Sequence, residues 1–213
     1  MTQIGLLVSF LDYASVFIFA LTGALVASRG QLDLVGFIFF ATLTGIGGGT
    51  MRDLMLGRLP VFWVDRPELI LLTAGSAVLV FVTAHLLESR YKALLWLDAM
   101  ALAVAVPAGV GVALSMEVSP TVIVVMGMTT GTMGGLMRDV VSNEVPLILK
   151  QGELYITAAF AGALAAVILL QLDVARPIAL LVCSAVVIAL RAGSMTCGWR
   201  LPVYKPRPPR DPL

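Results

Sequence analysis

Charge is scarce in this chain. Lys, Arg, Asp and Glu make up 13% of its 213 residues, against 59% hydrophobic residues, and the mean hydropathy is +0.98. A typical soluble domain carries about 25% charged residues, so water is not the main solvent of this sequence. The formal net charge is +1 and no basic run precedes the last segment, which argues against nucleic acid as a partner. Two cysteines, Cys183 and Cys197, are too few for a disulfide framework or a metal site and read as packing residues or free thiols. The single histidine, His85, falls at the end of an apolar run and reads as an interfacial residue, not as a ligand or proton relay. There is no nucleophile and base pair, no metal-ligand spacing and no Gly-x-x-x-x-Gly-Lys phosphate loop. These absences argue against an enzyme and imply neither a cofactor nor a metal.

What is present is a series of apolar runs, each long enough to cross a hydrocarbon core of roughly 30 Å. Hydropathy and helix breakers predict an all-α integral membrane protein with seven spans near 6–28, 33–57, 67–87, 93–114, 119–143, 152–172 and 176–194. The first run lacks a basic flank and an evident cleavage site, so it reads as a retained helix. Gly30, Gln31 and Asp33 end span one, Asp65-Arg66-Pro67 precedes span three, and Ser119-Pro120 and Arg176-Pro177 read as helix starts. Trp63, Trp96 and Trp199 fall near span ends, as an aromatic belt requires. An odd number of spans puts the termini on opposite sides. With the N-terminus outside, Arg29, Arg90, Lys92, Arg138, Lys150, Arg191, Arg200, Lys205, Arg207 and Arg210 lie inside, while Arg52, Arg58, Arg66 and Arg176 lie outside. The proline- and arginine-rich end reads as an extended cytoplasmic tail.

The chain repeats itself. Leu11-Asp12 recurs 86 positions later at Leu97-Asp98, and without a gap the same offset maps Gly23 onto Gly109, Thr44-Gly45 onto Thr130-Gly131, Gly48-Gly49 onto Gly134-Gly135, Met51-Arg52-Asp53 onto Met137-Arg138-Asp139, and Pro60 onto Pro146. Seven of the ten positions from 44 to 53 are identical, whereas chance likeness between apolar helices favours Leu and Val. Each copy covers three spans, so the second must enter the membrane from the opposite side, as in inverted-repeat transporters and channels. The expected units are 1–92, the inverted copy 93–174, a seventh helix over 175–196 and a tail over 197–213.

The glycines of each block stand at i, i+3 and i+4, on one helix face. Two consequences are open: close approach of a neighbouring helix, or a kink or unwound turn whose freed carbonyls coordinate a cation. Arg52, Asp53, Arg138 and Asp139 follow the glycines. They are either gating or pore-lining charges, or structural ones, with Arg52 bridging to Asp12 and Arg138 to Asp98. Thr44, Thr50 and Thr130 offer hydroxyls at the blocks, and Tyr13 and Phe17 face either a pore or a neighbouring helix.

The run Gly45-Ile46-Gly47-Gly48-Gly49-Thr50-Met51-Arg52-Asp53, followed by Leu59-Pro60-Val61-Phe62-Trp63, together with its second copy Thr130 to Asp139, resembles the prokaryotic branch of the trimeric intracellular cation (TRIC) channel family. The resemblance covers nearly the whole chain. It implies a homotrimer in a prokaryotic cytoplasmic membrane, with a water-filled pore through each protomer for monovalent cations, chiefly potassium. By position it carries the pore region onto Gly47, Gly48, Gly49 and Thr50 of span two and onto Gly134 and Gly135 of span five. Met133 stands where the first block has Gly47, so the second triplet is incomplete. Span four has no basic residue in its interior, so the phosphoinositide site of eukaryotic members is not expected. The alternatives are a secondary transporter of a small solute such as glycine, and a non-conducting scaffold whose glycines serve packing alone.

Overall fold

The computed structural model describes residues 3–86, 89–150 and 153–202; most of the expected tail, with Lys205, Arg207 and Arg210, lies outside them. The described residues form helices and no strands: α1 (Gln3–Arg29), α2 (Leu34–Met55), α3 (Phe62–Asp65), α4 (Glu68–Thr83), α5 (Arg90–Ser115), α6 (Pro120–Val141), α7 (Ile156–Gln171) and α8 (Arg176–Cys197), with short 3-10 turns at Ala84–Leu86 and Leu147–Leu149. Six of these segments are long and apolar enough to cross a membrane. The helix of the expected sixth span, α7, has 16 residues, which at 1.5 Å per residue reaches about 24 Å. The four-residue helix α3, between spans two and three, was not foreseen.

Local chemistry sets the boundaries. The Asp33 carboxylate caps α2 by accepting from the Gly36 amide at 2.8 Å, and Ser89 does the same for α5 through Lys92 at 3.3 Å. Ser119 precedes α6 with Pro120 in its first turn, where a missing N–H costs nothing. Past the end of α2 the chain turns through Gly57 at φ 65°, and past α6 through Asn143 at φ 57°. Between α1 and α2 it turns through Gln31 at φ 52°, and between α5 and α6 through Glu117 at φ 53°. Both pairs are 86 residues apart, so the repeat extends to left-handed backbone conformations at positions where the side chains differ.

Two three-helix units, α1-α2-α4 and α5-α6-α7, face one another, with α1 against α5 and α2 against α6, while α8 packs on α5 and α7. Apolar residues line both the inside and the outside. Val16, Ala20, Ala105 and Val106 are buried, whereas Phe10, Val35, Leu71 and Leu181 are more than half exposed, a pattern that needs lipid or protein around it.

Contrary to one expectation, α2 and α6 run as unbroken α-helix through both glycine blocks, so the unwound turn with freed carbonyls is not formed. The glycines instead let backbones touch. A Cβ at Gly48 would overlap the Thr130 carbonyl oxygen, and one at Gly134 would overlap that of Thr44. Within each unit, Gly23 lies against the Phe40 carbonyl and the Thr44 hydroxyl, and Gly109 against their equivalents in Met126 and Thr130. Close helix contact of this kind holds membrane proteins together where lipid offers no hydrophobic drive between helices. Gly48→Ala and Gly134→Ala are each expected to cost about 1–3 kcal/mol through overpacking. Gly75→Ala, with open space around it, is expected to be neutral. Unfolding temperatures in detergent check the contrast.

Candidate functional site

Each unit carries a buried carboxylate and arginine in the same arrangement. In the first, Arg52 donates from Nε to Asp53 at 2.8 Å and from Nη1 to Asp12 at 3.1 Å. In the second, Arg138 donates from Nε to Asp139 at 2.7 Å and from Nη1 to Asp98 at 2.8 Å. Both guanidinium groups are fully buried. The second oxygen of each following aspartate reaches forward, Asp53 accepting from the Phe62 amide and Asp139 from the Leu147 amide, each at 2.8 Å. One Arg-Asp dipeptide thus ties three things together: its own helix, the first helix of its unit, and the loop that follows.

One contact of the second unit crosses to the first. Arg138 Nη1 also donates to the Thr22 hydroxyl of the first unit at 2.9 Å, and the position equivalent to Thr22 is Ala108, which has no hydroxyl to return the bond.

On the side of the molecule where Asp12 lies, a cavity of about 460 Å³ is lined by Ser9, Asp12, Arg58, Arg66, Arg176 and apolar residues of α1, α5 and α8. Asp12 also lines a second, much smaller space of about 10 Å³, walled by Ser15, Phe19, Gly45, Gly48, Gly49, Arg52, Phe62, Ala105 and Thr130. That is room for about one water molecule. Two of its lining residues, Gly48 and Thr130, are themselves in backbone contact.

The expected pathway residues divide. Gly48, Gly49 and Thr130 border the narrow space, and Gly134 lies at its end against α2. Gly47 and Thr50 face away from it, toward an apolar groove of about 490 Å³ on the outside of α2 that Trp63 and Met137 also line. Trp63 donates to the Thr50 hydroxyl at 3.0 Å, and Thr50 in turn donates to its own helix at Ile46. Thr44 and Thr130 bond back to Phe40 and Met126, one turn earlier. Gly135 lies against Tyr155 and the Asp98–Arg138 pair, and Met133 is half-buried outside the narrow space. Tyr13 bonds to Glu68, Phe17 is exposed, and so is His85.

A family model described as Glycine transporter matches residues 9–85 and, a second time, residues 95–171. The chain is 34% identical over 160 residues to the UPF0126 inner membrane protein YadS of Escherichia coli strain K12, covering 75% of this chain and 77% of that one. It is 34% identical over 199 residues to a UPF0126 membrane protein of Vibrio cholerae, covering 91% and 81%. It superposes with a TM-score of 0.87 on the TRIC trimeric intracellular cation channel orthologue from Rhodobacter sphaeroides, at 44% identity over 90% of this chain and 98% of that one. The chain belongs to the TRIC channel family. A prokaryotic TRIC channel crystallised in 0.5 M KCl matches at a TM-score of 0.85 and 25% identity, covering 92% of this chain and 99% of that one.

Several residues of this TRIC family member escaped the sequence reading. Ser15, Phe19 and Ala105 border the narrow space without any motif to mark them. Phe62, the first residue of α3, fills the gap above Gly49, which no spacing announces. Arg191 had a signal, being an ionisable residue inside an apolar span. It is fully buried, 3.1 Å from Glu153 and 4.9 Å over the ring of Tyr155. Removing one partner of a buried pair strands the other, at about 3–5 kcal/mol. Asp98→Asn is therefore expected to lower the unfolding temperature in detergent sharply. Arg29→Ala, which breaks a part-exposed pair with Glu144, is expected to cost under about 1 kcal/mol.

Proposed function

We infer that this protein is a cation channel whose path enters through the cavity beside Asp12 and runs down the narrow space toward the crossing of α2 and α6. The observation that carries the reading is that one carboxylate, Asp12, lines both spaces, and that the smaller one is walled by Gly48 and Thr130, where α2 and α6 touch. Asp12 Oδ2, which has no hydrogen-bond partner, and the Ser15 and Thr130 hydroxyl oxygens, whose protons go to backbone carbonyls, keep lone pairs that suit a partly dehydrated cation. The likeness to TRIC cation channels supports the same reading.

The path is shut in this conformation, because room for about one water at a backbone contact does not pass a hydrated ion. Opening then requires α2 and α6 to part, and the glycines that permit close contact also leave no side chains in the gap once they separate. The rest of the proposal follows the sequence: seven spans, two inverted units over 1–92 and 93–174 with a seventh helix and tail, N-terminus outside, C-terminus cytoplasmic, homotrimer, inner membrane, and potassium as the main ion. In this arrangement Gly47, Thr50 and Met133 border the path only after α2 and α6 have moved. Arg52, Asp53, Asp98, Arg138 and Asp139 brace the two helices.

Single-channel recording of purified protein in planar bilayers under a potassium gradient, with choline replacement, tests the function. Discrete openings that reverse near the potassium equilibrium potential are expected, and Ser15→Leu, which fills the narrow space, is expected to abolish them in protein that still assembles. Silent bilayers together with saturable uptake of labelled glycine would replace the channel by a transporter.

A further inference from the structure

Three of the four arginines assigned to the outer side, Arg58, Arg66 and Arg176, line the 460 Å³ cavity, and Asp12 is the only carboxylate among its lining residues. Asp12 is already bonded by Arg52, and Arg66 approaches it only to 3.8 Å. Arg58 stands 3.7 Å from Asp53, beyond hydrogen-bonding distance. The Nη1 of Arg66 is buried without a hydrogen-bond partner, and Arg176 makes no hydrogen bond or ion pair among the described residues. Arg176 also opens the 22-residue helix α8, whose N-terminal amides add positive potential to the same wall. Three guanidinium groups around one carboxylate leave the cavity with excess positive charge and several N–H donors unused. A buried donor without a partner is costly, and planar forked donors match the oxygens of a phosphate group.

We propose that this cavity binds a phosphate-class anion, held by Arg58, Arg66 and Arg176, with the phosphate coming either from free solute or from a phospholipid headgroup whose acyl chain lies along the apolar wall formed by Val8, Leu114 and Leu180. Occupancy satisfies the Arg66 donor and cancels the positive excess that a cation approaching Asp12 meets. The site therefore acts as an electrostatic control on entry. Binding itself does not depend on conduction, so its test is separate from that of the channel.

The test is thermal unfolding of the purified full-length protein in detergent, titrated with inorganic phosphate against sodium chloride at matched ionic strength. Alongside it, native mass spectrometry follows protein purified with phosphatidylglycerol. Arg66→Gln and Arg176→Gln are compared with wild type; Arg176 is exposed and unpaired, so its substitution leaves folding intact. A phosphate-specific rise in unfolding temperature, with the half-maximal concentration raised roughly tenfold by either substitution, identifies a free-anion site. No response to phosphate, but retained phosphatidylglycerol that both substitutions release, identifies a headgroup site. Absence of both effects, or binding that survives both substitutions, overturns the proposal.

Discussion

Two helices from different repeats, α2 and α6, meet backbone to backbone at Gly48 and Gly134, and nearly every other feature of the interior is arranged around that contact. The Cβ that any other residue would bring there overlaps a carbonyl oxygen of the partner helix. The contact therefore depends on glycine for the space it leaves, and both helices stay regular through it. The same block occurs in both copies, so each helix brings its own glycine to the crossing. The narrow space beside Asp12 has Gly48 and Thr130 of this crossing in its wall.

Closely packed apolar helices slide easily unless something fixes their depth and rotation, and the Arg-Asp pairs supply that constraint. Arg52 joins α2 to α1, and Arg138 joins α6 to α5, each with both carboxylate partners within about hydrogen-bonding distance. Several atoms nearby, including Asp12 Oδ2, Arg52 Nη2, Asp98 Oδ2 and Arg138 Nη2, are buried without a protein partner. Groups of that kind are normally satisfied by internal water. The extra bond from Arg138 to Thr22 ties the second unit to the first on one side only.

Much of this was legible in the sequence because the repeat involves residues that apolar helices rarely keep by chance. Asp12, Asp98, Arg52 and Arg138 carry their pairing in their spacing, and Gly23 and Gly109 recur together with the threonines they touch. Which consequence of the glycines prevails was not legible. Propensity alone permits a break, whereas α2 stays continuous helix where Thr130 packs against Gly48, and that packing depends on which face of α2 meets α6. Residues at the starts of helices that follow loops, Phe62 of α3 and Tyr155 just before α7, were equally hidden, since their positions follow from tertiary closure and not from any period. Arg191 was counted as an inner-side charge, but Glu153 and Tyr155 draw it into the interior.

The central claim is that the narrow space beside Gly48 belongs to the ion path and that parting α2 from α6 opens it. Ala105→Cys, in a background with Cys183 and Cys197 replaced, puts a thiol on the wall of that space. A small cationic thiol reagent applied during bilayer recording is predicted to block potassium current in this variant, and faster when the channel is open. Undiminished current, with the same reagent shown to label Ser9→Cys in the outer cavity, would contradict the account.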